Sequence, residues 1–379
     1  MKSNSLLDLE SFGQSIWMDF ISRDTISSGQ LQRWIEEDGI SGVTSNPSIF
    51  EKAITESDDY DESIRDFTLK DMSSEEVFRS LTVEDIQRVA DLLRPTYHRT
   101  DGRDGFVSLE VSPTLAHDTT GTIEEARDLW ALVNRPNAMI KVPATSEGIP
   151  AIRELTGEGI NVNITLLFGL PRYREVADAY LDGLEMLAAK GRPLKQVASV
   201  ASFFLSRIDS LIDPILEKKM MTDNPQAGIA ERLQGQVAIA SAKVAYEMYK
   251  EIFGSERFAS LAKKGARTQK LLWASTSTKN PAYSDTKYME ALIGPDTINT
   301  VPVETLDAYR DRGHPEQTLD QEVREAYQLL DSLSSVGIDL DAVTQQLEDQ
   351  GVEKFITAFN RLMASLKEKA AGVHELHGR

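Results

Sequence analysis

Ala138-Met139-Ile140-Lys141-Val142-Pro143-Ala144-Thr145 is a short apolar run that carries one lysine and is closed by a proline. Its length suits a buried strand, and the proline stops it. A lysine so placed has two readings. It can snorkel from the strand end into water along its own methylenes. Or it can be an amine kept in apolar surroundings at the mouth of a barrel. There desolvation disfavours the ammonium and leaves a nucleophile able to form a Schiff base with a carbonyl.

Outward from this run, further stretches read as strands. Toward the N-terminus they lie at 15–20, ending near Asp19, at 39–47, running into the polar turn Thr44-Ser45-Asn46-Pro47, and at 106–111, ending near Glu110. Toward the C-terminus they lie at 160–167, 197–204, 271–276 and, shortest, 296–302. Helical patterns fill the gaps: a lead-in over 1–14, a short helix over 25–38, and helices at about 148–156, from Pro171 to about Gly191, at 206–219 and at 226–253. Thr122 followed by Glu125 reads as a capping box opening the helix before the lysine strand. Eight strands alternating with helices imply a parallel sheet, and eight such units imply a closed (β/α)8, or TIM, barrel of α/β class. The alternative is an open doubly wound sheet, but no Gly-rich dinucleotide or phosphate-loop fingerprint follows the first strand. Residues 1–379 read as a single domain. They include a charge-rich helical insertion at about 48–93, C-terminal helices at about 314–370 and a polar tail beyond Ala370.

Composition narrows the function. The chain is 41% hydrophobic and 27% charged, which is globular. A formal net charge of −19 argues against nonspecific binding to nucleic acid or anionic membranes. An anionic substrate would therefore need a local cluster of Arg and Lys. The absence of cysteine excludes disulfides and thiolate chemistry. No membrane span or secretory signal is read, so a cytoplasmic location is expected. The histidines His98, His117, His314, His374 and His377 show no paired-ligand spacing, and no metal is expected.

Barrel enzymes carry their chemistry at the C-terminal ends of strands. In order, those ends offer Asp19, Thr44 with Asn46, Glu110, Lys141, Asn163 with Thr165, Ser202 with Arg207, and Lys279. The eighth strand offers Asn299 and Thr300, without a defined role. These types suit carbonyl chemistry. A lysine amine attacks a ketone, the resulting iminium accepts electrons from a breaking carbon–carbon bond, and carboxyl groups move the protons. By type, Glu110 and Asp19 fit the proton work and Thr165 could hold a water. Arg207, as a planar fork, and Lys279, as a point charge, could hold a phosphate. Each also has a plainer reading. Glu110 could be a strand-end partner for a lysine, Asn46 a turn residue and Asn163 a backbone-satisfying amide. Arg207 and Lys279 could simply be exposed.

Three segments go beyond residue types. Gly42-Val43-Thr44-Ser45-Asn46-Pro47-Ser48, Met139-Ile140-Lys141-Val142-Pro143-Ala144-Thr145 and Gly159-Ile160-Asn161-Val162-Asn163-Ile164-Thr165-Leu166-Leu167-Phe168 resemble, in order and spacing, the signatures of transaldolases. Trp273-Ala274-Ser275-Thr276-Ser277-Thr278-Lys279-Asn280-Pro281 and Ile293-Gly294-Pro295 resemble the longer bacterial branch of that family. The resemblance covers about 16–302. It implies a (β/α)8 barrel and a class I, metal-free, cofactor-free reaction. In that reaction a dihydroxyacetone unit passes from sedoheptulose 7-phosphate to glyceraldehyde 3-phosphate, giving erythrose 4-phosphate and fructose 6-phosphate in the non-oxidative pentose phosphate pathway. It implies Lys141 as the Schiff-base lysine, Glu110 as the acid/base acting through water, Asp19 as the base for cleavage and Thr165 as the holder of the water. Asn46, Asn163 and Ser202 would hold substrate hydroxyls, with Thr44 alongside, and Arg207 the phosphate. One departure stands out: Lys279 occupies the region where many members carry a second phosphate arginine. Two rivals remain, a Schiff-base aldolase that releases free dihydroxyacetone and a catalytically silent sugar-phosphate-binding barrel. Sugar phosphates are the expected partners, and the chain is expected to be a monomer or homodimer.

Overall fold

The computed structural model describes residues 4–221 and 226–377; the side chains of His374 and His377 lie outside that description. Eight parallel strands close into a barrel in sequence order. They are β1 (Gln14–Met18), β2 (Ile40–Val43), β3 (Phe106–Glu110), β4 (Ala138–Pro143), β5 (Val162–Leu167), β6 (Ser199–Phe204), β7 (Lys270–Ala274) and β8 (Thr297–Val301). β4, β5 and β6 are buried at every position, one face against the barrel interior and the other against helices. That two-sided burial is why they read as near-continuous apolar runs instead of alternating ones. Below the mouth, the Trp17 indole donates to Asp104 at 2.8 Å within the core.

The strands fall within a few residues of their expected positions, whereas helix ends depart in instructive ways. The helix before β4 is Thr119–Val133, and its cap is Asp118, whose carboxylate accepts from the Gly121 amide at 3.0 Å. Thr122 and Glu125 therefore form no capping box. Thr122 donates to the Leu115 carbonyl, and Glu125 accepts from the Ser112 amide, seven residues before the helix starts. Asp118 satisfies the first-turn amides equally well, so the spacing of Thr and Glu does not choose between caps. The expected helix over 226–253 is two helices, Ala227–Leu233 and Val237–Phe253. Gly235, at φ +65°, makes the break, and its amide donates to Asp213. The stretch 25–38 likewise holds two helices, Arg23–Ser27 and Gln30–Glu37.

The insertion forms three helices, Pro47–Thr55, Asp61–Thr68 and Ser74–Arg99. Its acids between 58 and 66 are exposed, as a solvated face should be. A buried network ties it to the chain just after β1. The Arg23 guanidinium meets Asp85 at 3.2 Å, Tyr60 donates to Asp85 at 2.8 Å, and the Arg23 amide donates to Tyr60. After β8 come Val303–Arg312, Val323–Ser332 and one long helix, Leu340–His377. The last of these runs through the stretch from Ala370 that was expected to be a polar tail. It starts beside β5, where Glu348 pairs with Arg172 at 3.3 Å. It reaches the insertion, where Phe359 packs edge-on against Phe78 and Lys369 pairs with Asp61. The helix is thus a strap across the barrel mouth. Among the described residues, no helix is long and apolar enough to cross a membrane.

Candidate active site

The register of β3, β4 and β5 builds the floor of the mouth. Glu110 lies opposite Lys141, and Lys141 opposite Asn163, so a carboxyl, an amine and an amide share one layer. Lys141 Nζ is 3.3 Å from Glu110 Oε2 and donates to the Ser45 carbonyl at 3.0 Å. The layer is dry: the two side chains are 5% and 3% exposed. Asn163 donates to Ser108 at 2.9 Å and accepts from Ser202 at 2.7 Å, which fixes its amide orientation. The contact between Glu110 and the amine is close but poorly aligned. Neither carboxylate oxygen of Glu110 has a hydrogen-bonded partner in the protein, and neither does Thr165 Oγ1. Buried polar atoms of this kind hold a water or a ligand atom.

Burial dominates the carboxyl acidities. It raises Glu110 to about 7, despite the opposing pull of the Lys141 charge. Asp19, one residue past β1, is raised by burial too. The charge of Lys141 and the hydrogen bond from Thr44, at 2.8 Å, draw it back. Thr44 in turn meets the Thr300 hydroxyl at 2.8 Å. Both carboxyls near the lysine amine are harder to ionise than in water, and Glu110, at about 7, is poised to exchange protons near neutrality.

Above the floor opens a cavity of about 580 Å³, lined in part by Asp19, Asn46, Lys141, Ser202, Arg207 and Lys279. Asn46 already has one duty: its side-chain oxygen caps the helix Pro47–Thr55 by accepting from the Ile49 amide, which leaves its amide NH2 for the cavity. Arg207 sits in the first turn of Ser206–Met220, stacked over Phe204 at 5.4 Å. The loop bearing Lys279 is pinned to the same helix by Tyr283, which donates to Asp213 at 2.7 Å, and by the Lys287–Asp209 pair.

Comparisons with known proteins identify the family. A family model described as Transaldolase/Fructose-6-phosphate aldolase matches residues 16–366. The chain belongs to that family. Proteins named Transaldolase from Trichodesmium erythraeum and Saccharopolyspora erythraea are each 47% identical to it. They align over 97% of this chain and 98% and 99% of their own lengths. One from Thiobacillus denitrificans is 46% identical over 96% of this chain and 99% of its own. This family member is therefore a transaldolase-type enzyme.

The structure brings the residues nominated from sequence to one barrel end, in two tiers. Asp19, Thr44, Asn46, Lys141, Ser202, Arg207 and Lys279 line the cavity. Glu110 and Asn163 stand beside the amine in the layer below, and Thr165 is buried two residues further along β5. Thr165 precedes Leu166, whose φ of +54° marks an irregularity in the pairing of β5 with β6. A left-handed buried leucine is strained, and such strain gathers at functional sites. The strand-end reading missed Lys52, Lys354 and Phe355, which also line the cavity, and it offered Thr300, a further lining residue, without a role. Lys52 lies in the first helix of the insertion, and Lys354 and Phe355 lie on the strap. None of the three missed residues is near a strand end in sequence.

Proposed function

We propose that the enzyme transfers a dihydroxyacetone unit from sedoheptulose 7-phosphate to glyceraldehyde 3-phosphate through a Schiff base on Lys141. The observation that carries this reading is the buried amine of Lys141 beside a carboxyl raised to about 7, at the C-terminal end of a barrel strand. Glu110 takes a proton from the Lys141 ammonium, and the freed amine adds to the ketone carbon. The alkoxide gains a proton from the adding nitrogen, and Glu110 returns its one proton, through a water held with Thr165, to the carbinolamine hydroxyl, which leaves as water and gives the iminium. Asp19 removes the proton of the C4 hydroxyl. The C3–C4 bond breaks, its electron pair passes to the iminium to give an enamine, and erythrose 4-phosphate departs. The enamine carbon attacks the aldehyde of glyceraldehyde 3-phosphate, the new oxyanion recovers the proton from Asp19, and hydrolysis of the iminium releases fructose 6-phosphate and Lys141. Thr44, Asn46, Asn163 and Ser202 hold sugar hydroxyls. Arg207 and Lys279 hold the phosphate.

The same reading takes residues 1–379 as one barrel domain, working without a cofactor in the non-oxidative pentose phosphate pathway of the cytoplasm, as a monomer or homodimer. The experiment is a two-substrate assay. With sedoheptulose 7-phosphate alone, turnover should nearly stall after one enamine per enzyme, and glyceraldehyde 3-phosphate should restore it. Steady release of free dihydroxyacetone without an acceptor would make the enzyme a lyase instead.

A further inference from the structure

The rim of the cavity carries a cation that belongs to no strand end. Lys354 lies on the strap helix Leu340–His377, and its position follows from a glycine one turn earlier. A Cβ on Gly351 would meet Leu166 Cδ2 at 2.9 Å and Arg207 Nη1 at 3.6 Å, so the bare backbone lets the helix lie against the end of β5 and against Arg207. Residues three and four positions later share that helix face. They are Lys354 and Phe355, and both line the cavity. Phe355 is buried and anchors the face, while Lys354 reaches the rim.

Lys354 is held below the usual lysine range, first by the positive charge of Arg207, then by burial and by Lys279 and Lys52. Among the described residues, the side chains of Arg207, Lys354 and Lys52 make no ion pair or hydrogen bond, and that of Lys279 meets only the Ser277 hydroxyl. Three carboxylates share the cavity lining, and of these Asp19 lies near enough to Arg207 to act on its charge without an ion pair. Glu51 pairs with Arg361 at 3.0 Å, and Glu304 lies close enough to Asp19 to oppose its ionisation. Gathered, unpaired cations on a protein of net charge −19 mean that local like-charge repulsion is tolerated for an anion that joins them. Lys279, a point charge, lacks the fork of an arginine, and a cation from the strap makes up the difference.

We propose that Lys354 is a phosphate-recognising residue of this site, so that the C-terminal helix completes the ring of cations around the terminal phosphate of the sugar. The inference rests on the sugar-phosphate reading above. It makes the strap a determinant of specificity and not merely a cover.

The test compares wild type, Lys354→Met, Lys354→Arg and Arg207→Ala in two measurements. In the first, inorganic phosphate is titrated calorimetrically. Lys354→Met should bind it about tenfold more weakly, the lower end of what a charge-assisted hydrogen bond contributes, and Lys354→Arg should restore binding. In the second, kcat/KM is measured with glyceraldehyde 3-phosphate and with unphosphorylated glyceraldehyde as acceptor. Lys354→Met should lower the ratio of the two about tenfold, through KM and not kcat. If Arg207→Ala loses phosphate while Lys354→Met binds it as wild type does, the role of Lys354 is overturned and the phosphate site stands. An equal fall with both acceptors would give Lys354 a merely structural part and overturn the inference as well. If wild type binds no phosphate and shows no preference for the phosphorylated acceptor, the sugar-phosphate reading itself fails.

Discussion

The floor and the rim of the barrel mouth are built in opposite ways. The floor takes Glu110, Lys141 and Asn163 from three consecutive parallel strands, in lateral register and buried, with the Lys141 amine 3.3 Å from Glu110. The rim takes Lys52, Arg207, Lys279 and Lys354 from four separate segments, among them the insertion and the terminal strap, and leaves them without carboxylate partners among the described residues. Rigid strands hold atoms to the tolerance that bond-making needs. Long cationic side chains converging from loops and helices suit an anion that must enter, stay for a turnover and leave. Under the proposed mechanism, the division gives chemistry to the floor and recognition to the rim.

That division can be broken by substitution, and the effects should grade with depth. Lys141→Ala removes the nucleophile and should abolish transfer, lowering kcat by about four orders of magnitude or more in a coupled assay. Glu110→Gln should lower kcat by about 10²- to 10⁴-fold with little change in KM. It should also change the pH profile. In wild type, kcat/KM should rise as pH climbs through about 7, because below that value Glu110 keeps its proton and cannot take one from Lys141. In Glu110→Gln that limb should vanish, and an unchanged limb would assign it to another group. Arg207→Ala belongs to the rim and should raise KM for the phosphorylated substrates about 10- to 100-fold at nearly constant kcat. A fall confined to kcat would place Arg207 in the chemistry and blur the two tiers. Ser202→Ala is the smallest probe. It strips Asn163 of its 2.7 Å donor, should cost about 1–3 kcal/mol in denaturant unfolding, and should reduce kcat only modestly.

The floor was legible in the sequence and most of the rim was not. Parallel strands advance together, so polar residues at neighbouring strand ends land side by side whatever the loops do, and Asp19, Glu110, Lys141 and Asn163 follow from strand positions alone. Arg207 was legible for the same reason, since it follows β6 by only a few residues. Lys354 was not. Its helical pattern marks it as an exposed residue, and only the path of the strap, set by Gly351 against Leu166, brings it to Arg207. The Asp118 cap and the break at Gly235 were missed because helix ends depend on single hydrogen bonds and one backbone angle, which hydrophobic periodicity does not encode. Asn46 shows the reverse. Read as a turn residue, it is a helix cap that also lines the cavity, so the plain reading and the functional one are compatible.

The central claim is that the buried amine of Lys141 carries the substrate. Its most direct test is borohydride reduction of the wild-type enzyme with sedoheptulose 7-phosphate or fructose 6-phosphate, followed by peptide mass spectrometry. The account predicts one reduced three-carbon or sugar-phosphate adduct, on Lys141, absent in Lys141→Ala. An adduct on a different lysine, or no adduct together with full activity of Lys141→Ala, would contradict it.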